Sequence, residues 1–361
     1  MGVKEKVIRA NYLFKKQQYE PAKLLYEEIV AIEPRLNSIF AYNITKCLTN
    51  LEEEKTAGLE TRDGARTSSI GASNIWVSEK PQTAVVTERI YVCMTTIDSR
   101  IDRIKPVVDS LLSQTVKPYR ININISKEPY LLDKGIDESN PVLKEICSDP
   151  VVIINWVENI GPYRKIYPFL EKHFAQSVTK EKVFITIDDD TLYPDYFVER
   201  LYAKYIETNN IVAFRGRCIE MGDSAIGAYD TWTWGKDEMT FRNLPTGKDG
   251  IIYSTRFFSK DFLNINKIKE IAPTVDDLWI KWHCALNGVK SQILNPEACS
   301  SDYKSFPVVD YSKEYRGNSL YAMLNSKKAG GKNDTAVENL ESFFLEEYGY
   351  NLKSLIDLEV K

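Results

Sequence analysis

Residues 183–194 read Val-Phe-Ile-Thr-Ile-Asp-Asp-Asp-Thr-Leu-Tyr-Pro, and this stretch decides both fold and chemistry. The run over 183–187 is apolar, β-branched and bounded by turn residues, the pattern of a buried strand in a parallel sheet. Asp188, Asp189 and Asp190 follow directly. Three adjacent carboxylates repel one another and cannot all be buried without counter-charge. A hard divalent cation, Mg²⁺ or Mn²⁺, supplies that charge and usually also holds substrate phosphates. The end of a parallel strand is also where open α/β sheets bind ligands. The plain alternative is a solvated acidic turn.

Outward from this strand the pattern alternates. Strands are predicted over 90–95, 119–125, 151–157 and 211–214, and helices over 104–114, 166–175 and 196–208. This rhythm predicts an α/β unit over 89–361, with a mainly parallel sheet and helices on both faces. Residues 220–260 are aromatic and Gly-rich with weak periodicity, as in an active-site insert. A helix over 276–286 ends at Asn287-Gly288, and a last helix is predicted over 335–348.

The N-terminal part is different. Residues 4–50 read as helical, and Ala10, Leu13, Ala22, Tyr26, Ile29 and Pro34 fall on tetratricopeptide-repeat positions, with a break near residues 18–21. A third helix over 38–51 would open a second, unfinished repeat. Such helices need neighbours to bury their faces, so residues 1–51 form either a protein-docking element or a plain helical hairpin. Residues 52–88, rich in Glu, Thr, Ser, Gly and Lys, read as a linker.

Composition narrows the function. The 361 residues are 43% hydrophobic and 27% charged, with formal net charge −4. No general basic field draws in nucleic acid. The six cysteines form no CxxC pair, which argues against a zinc ribbon and suits a reducing cytoplasm. No stretch is long and apolar enough to span a bilayer, and no secretory signal is evident. Gly2 suggests myristoylation, but Lys6 breaks that motif. A cytoplasmic protein is expected, peripheral at most to the inner face of a membrane.

Four further segments carry chemistry. Residues 92–101 are a first strand ending in Thr95-Thr96-Ile97-Asp98-Ser99-Arg100, whose hydroxyls and guanidinium suit a nucleotide and its diphosphate. Residues 159–165, Asn-Ile-Gly-Pro-Tyr-Arg-Lys, bring two cations to a turn before a helix and favour an anion. No GxxxxGK[ST] is present, which argues against a P-loop NTPase. Residues 243–253 form a loop with Gly247 and Gly250, where a backbone can approach a ligand closely. Before it, Trp232 and Trp234 are spaced to share one strand face and stack on sugar, or else to fill a core. Residues 272–279 start a helix. Thr274 is a plausible N-cap, with Asp276 and Asp277 in the first turn, where they serve the helix dipole or act as a general base or acceptor-orienting carboxylate. His173 is placed on a helix exterior, and His283 in a core or rim near Trp279 and Trp282.

In this order the segments resemble a glycosyltransferase of the GT-A fold over about residues 89–300. Residues 185–196 are especially similar to the metal-binding segment of bacterial capsule glycosyltransferases, including the N-acetylglucosaminyltransferase module of heparosan synthases. The resemblance implies that Asp188 and Asp190 hold Mn²⁺ or Mg²⁺ and the donor diphosphate, with Asp189 near the ribose. It implies nucleotide contacts at Thr96 and Arg100, a donor-binding Lys165, and a sugar-pocket loop at Gly247 and Gly250. It places the late carboxylate at Asp277, beside Asp276. Two departures stand out. Asn159 replaces an often acidic residue, and the double acid at 276–277 resembles inverting enzymes, whereas heparosan-type modules retain configuration. Stereochemistry is therefore open.

A metal-dependent transfer from a UDP-sugar to a glycan or lipid-linked glycan of the bacterial surface is the expected activity. One rival is a sugar-1-phosphate nucleotidyltransferase, whose Gly-rich loop is missing from residues 95–100. Another is a non-catalytic tetratricopeptide-type adaptor.

Overall fold

The computed structural model describes residues 2–32, isolated positions between 40 and 51, and residues 89–176, 180–222, 225–294, 305–312, 319–326, 328 and 330–360. The linker expected over 52–88 and most of the helix expected over 38–51 lie outside these. The chain divides into two compact units, Met1–Glu88 and Arg89–Lys361.

In the first unit, helices Val3–Lys15 and Tyr19–Ile32 form a hairpin. Ala10 and Ala22 are fully buried, as are Tyr26 and Ile29. The turn uses Gln17 at φ 58°. Tyr26 stacks on Phe40 at 5.3 Å between centroids.

The second unit is built on ten strands: β1 (Ile90–Thr95), β2 (Arg120–Ile125), β3 (Val152–Trp156), β4 (Val183–Thr186), β5 (Ile211–Ala213), β6 (Gly216–Cys218), β7 (Thr233–Trp234), β8 (Asn243–Pro245), β9 (Ile251–Ser254) and β10 (Ser291–Ile293). Seven of them form one sheet in the order β10-β5-β9-β4-β1-β2-β3. Its pairings are parallel except that β9 runs antiparallel to both β4 and β5. The expected α/β, mainly parallel sheet is what forms, with the reversed β9 as an addition. β4 is buried along its whole length, as its unbroken apolar sequence requires.

Register positions the site. Cys93 of β1 lies beside Thr186 of β4, and the Ile187 amide donates to the Cys93 carbonyl at 3.1 Å. Thr96 and the Asp triplet therefore emerge together at the carboxyl ends of adjacent parallel strands. The insert forms a small antiparallel sheet, β7-β6-β8. Asn209 at φ 53° caps the Phe197–Thr208 helix in the left-handed conformation.

Several local expectations change. His173 is buried, not on a helix exterior, and faces the Phe174 ring. Trp232 precedes β7 and is 2% exposed, whereas Trp234 is 47% exposed, so the two indoles do not share a face. The last predicted helix spans Lys332–Tyr348, and a second, Leu352–Val360, follows Gly349 at φ 74°. There the Asn351 side chain accepts from the Ser354 amide at 3.0 Å. Among the described residues, no helix is long and apolar enough to cross a membrane.

Candidate active site

A cleft of about 290 Å³ opens where β1 and β4 end, lined by Thr96, Arg100, Lys165, all three triplet aspartates, Asp276 and Asp277. Residues from four distant segments thus meet in one place. Gly247 touches this group from behind, and Gly250 stands outside the lining.

The three aspartates have different partners. Asp189 is the most tied: Thr96 Oγ1 donates to its Oδ2 at 2.6 Å and Arg100 Nη1 to its Oδ1 at 3.0 Å. Asp188 accepts from Lys165 Nζ at 3.1 Å. Among the described residues, the Asp190 side chain has only Arg100 at 3.4 Å and its own neighbour Thr191 at 3.3 Å. Burial, then Asp189 and Asp188, push its carboxyl up to about 6. Asp190 is thus short of positive charge, which fits a divalent cation. Among the described residues no three His, Cys, Asp or Glu side chains converge to hold an ion by themselves. A cation here would be shared with substrate phosphates, the usual arrangement for Mg²⁺. Tyr193 braces the turn: its hydroxyl accepts from the Asp188 amide at 3.2 Å and donates to the Lys248 carbonyl at 3.0 Å.

Lys165 bridges the two acidic segments, with Asp188 at 3.1 Å and Asp276 Oδ2 at 2.9 Å. Burial alone would depress this ammonium, but Asp188, Asp276 and Asp277 hold it well above its ordinary value. Gly247 makes the bridge possible, since a Cβ there would stand 2.7 Å from Lys165 Nζ and 2.9 Å from Asp188 Oδ1. Gly250 serves packing instead. At φ +86° its missing Cβ leaves room for the Phe197 ring, 2.4 Å from where that carbon would be.

Asp276 and Asp277 open the Asp276–Leu286 helix, but Thr274 is not its cap. The Thr274 hydroxyl donates instead to Asn325 Oδ1 at 2.6 Å. Asp276 is committed to Lys165, whereas among the described residues Asp277 accepts only the Gly247 amide, at 3.3 Å on Oδ2, and its buried Oδ1 has no hydrogen-bond partner. Burial first and Asp276 second push the Asp277 carboxyl up to about 7. A buried carboxyl near neutrality with a free oxygen in a cleft is equipped to take a proton.

Beside this group, on the same lining, lies an ion pair whose acid the sequence did not reveal. Arg164 Nη1 pairs with Asp133 Oδ2 at 2.8 Å, with side chains 1% and 2% exposed. Asp133 also accepts from the amides of Asp98 and Gly135 and from Asn159 Nδ2. Arg164 in turn donates to the Thr96 carbonyl at 3.2 Å. This lock ties the ends of β1, β2 and β3 together at the cleft. Asn159 is explained by it: an amide donates to Asp133, which an acidic residue could not do while ionised. Asp133 sits in a loop without a recognisable pattern, so only the neighbouring cations at 164–165 hinted at a partner.

No family model matches the chain, and no curated protein matches it. Solved structures do match. S. aureus TarS 1-349 is 17% identical with a TM-score of 0.38, over 58% of this chain and 59% of that one. The same protein in complex with UDP-GlcNAc is 14% identical, with a TM-score of 0.38 over 76% of each chain. The 4-diphosphocytidyl-2C-methyl-D-erythritolsynthase of Anaerococcus prevotii DSM 20548 is 12% identical, with a TM-score of 0.34 over 54% of this chain and 81% of that one. The chain spans 59% of the first of these structures. Likenesses this distant carry no residue assignment.

Proposed function

We propose that the Arg89–Lys361 unit is a metal-dependent glycosyltransferase of the GT-A type that uses a nucleotide-sugar, with UDP-sugars the first choice. The observation that carries this reading is the convergence of Thr96, Arg100, Lys165, Asp188–Asp190 and Asp277 on one cleft at the ends of β1 and β4. Such a set holds an anionic leaving group at one end and offers a proton acceptor at the other.

Asp190, with Asp188 beside it, would hold Mn²⁺ or Mg²⁺. Bound there, the ion offsets the negative charge that grows on the departing diphosphate. Arg100 and Lys165 add fixed positive charge on the same side. Thr96 and Arg100 hold Asp189 in place at the nucleotide end. At the other end, the acceptor hydroxyl oxygen forms the new bond to the anomeric carbon as the bond to the diphosphate breaks, and its proton passes to Asp277. This is a single displacement with inversion. Asp276, neutralised by Lys165, orients rather than reacts.

A screen of UDP-sugars by UDP release, with calorimetric titration of UDP in Mn²⁺ and in EDTA, tests the proposal. Metal-dependent UDP binding, lost in Asp190→Ala while the fold survives, is expected. Full activity of that variant, or in EDTA, would overturn it.

A further inference from the structure

The small sheet borders the cleft through Leu244, and its face beside that residue is a cationic wall. Arg217 of β6 lies between Trp234 of β7 and Leu244 of β8. Directly paired residues share a sheet face, and Leu244 lines the cleft. Arg215, two residues before Arg217, falls on the same side. The Arg217 and Arg215 guanidinium carbons stand 4.7 and 5.8 Å from the centroid of the Trp234 ring. Arg217 Nη1 donates to the Trp232 carbonyl at 3.1 Å, which fixes its fork.

Neither guanidinium has a carboxylate within 4.0 Å among the described residues. Two nearby acids are engaged elsewhere: Glu220 with Arg242 and the Thr233 hydroxyl, Glu238 with Lys236. In a chain of net charge −4, two half-buried arginines beside an exposed indole are not part of a general basic field. Tyr229 joins this wall to the catalytic end. It lines the cleft and packs on Trp232 at 4.8 Å. Burial and then Asp277 raise its hydroxyl, while Arg217 and Arg215 pull it down, so one phenol feels the acid and both arginines.

We propose that Arg215, Arg217 and Trp234 form the acceptor subsite beside Asp277, and that the acceptor is an acidic glycan. The exposed part of the indole contacts a sugar ring, and the guanidiniums pair with carboxylate or phosphate groups on or next to it. The word acceptor rests on the glycosyltransferase reading; the acidic-glycan surface does not.

Calorimetry on the full chain at low salt, with four probes, tests this: maltohexaose, a hyaluronan hexasaccharide, a glycerol-phosphate hexamer and a dT hexamer, with UDP measured on the same samples. The wild type is expected to bind the hyaluronan hexasaccharide, the anionic glycerol-phosphate hexamer or both at least about tenfold more tightly than maltohexaose. The hyaluronan and glycerol-phosphate arms show which anion is preferred. Arg217→Ala and Trp234→Ala are each expected to lose about tenfold. Arg215 makes no side-chain hydrogen bond to the backbone that a substitution would break, so Arg215→Ala serves if Arg217→Ala fails to fold. It is expected to lose acidic-glycan affinity while UDP affinity stays within about twofold. Equal binding of maltohexaose, unchanged binding in the arginine variants, or equally tight binding of the dT hexamer would overturn the subsite. UDP binding with no glycan preference overturns the subsite alone. Glycan binding without UDP binding overturns the transferase reading and leaves the surface standing.

Discussion

Replacing Asp277 with asparagine is expected to abolish transfer and stabilise the protein at the same time. The folded-state value of about 7 lies above the ordinary 3.8. Between these values the native carboxyl holds a proton that the unfolded chain has released. The stabilisation from this group is therefore complete below about pH 4 and is lost as pH rises through 7. Above pH 7 the folded protein carries a buried, ionised Asp277 next to Asp276. Three units at 1.36 kcal/mol each set a ceiling of about 4 kcal/mol on that strain. Asparagine removes the charge but leaves a buried amide facing the unpartnered side, which costs about 1–2 kcal/mol. The net gain at pH 8 is thus about 1–3 kcal/mol, several degrees in Tm. Activity falls about 10²- to 10⁴-fold, the usual contribution of a positioned base. The wild-type rate rises with pH through about 7, and the variant's residual rate does not. Calorimetric melting at pH 5 and pH 8, with UDP release on the same samples, measures both effects. Retained transfer, or a variant less stable than wild type at pH 8, would refute the assignment.

Other perturbations separate structure from chemistry. Asp133→Ala strands the buried Arg164 charge and is expected to cost about 3–5 kcal/mol in urea unfolding; a loss under 1 kcal/mol would mean that the lock at the cleft does not bear on stability. Gly247→Ala pushes a methyl group against Lys165 and Asp188. It is expected to weaken UDP binding about tenfold with little change in Tm, because the obstructed atoms are side-chain ends that can move. Buried Lys281, whose ammonium burial drives down to about 7, has Ser291 Oγ at 3.3 Å as its one hydrogen-bond partner among the described residues. Its folded value lies below its unfolded one, so wild-type stability rises from pH 7 toward 10. Lys281→Met is expected to stabilise the fold by about 2–4 kcal/mol at pH 7 and to flatten this rise. Identical pH–stability curves for the two proteins would show that the Lys281 ammonium titrates in the fold as it does in the unfolded chain.

How far the sequence was readable depended on range. The strands β1, β2, β3 and β4 and the helix over 276–286 follow from local apolar pattern, and the polar residues that flank them lie at strand and helix termini. What local pattern cannot show is pairing. Asp133, Asp189 and Asp276 are all acids outside the strands, yet one pairs with Arg164, one anchors Thr96 and Arg100, and one pairs with Lys165. The two tryptophans were misplaced because β7 is only two residues long, too short for alternation to be visible. His173 looked exposed because one polar residue on a short helix says little about which face it occupies. The reversed β9 was hidden for the same reason: Ile251–Ser254 reads as a strand either way, and direction is set only by its neighbours.

That reversal has a consequence for how such a protein can change. Because β9 runs against β4 and β5, Ala213 and Ile251 are direct partners, and the Phe214 amide reaches back to the Gly250 carbonyl. Residues 214–250 therefore leave and rejoin the sheet at one point, like a cartridge with a closed neck. Its outer part, including the Arg–Trp wall, can be exchanged or lengthened without shifting the register that holds Thr96 beside the Asp triplet, provided that Gly247, Lys248 and Gly250 at the neck keep their contacts with Lys165, Tyr193 and Phe197. Partner choice then varies while the neck keeps the leaving-group end in place. Grafting another 216–243 segment is thus a route to new specificity at low risk to the fold.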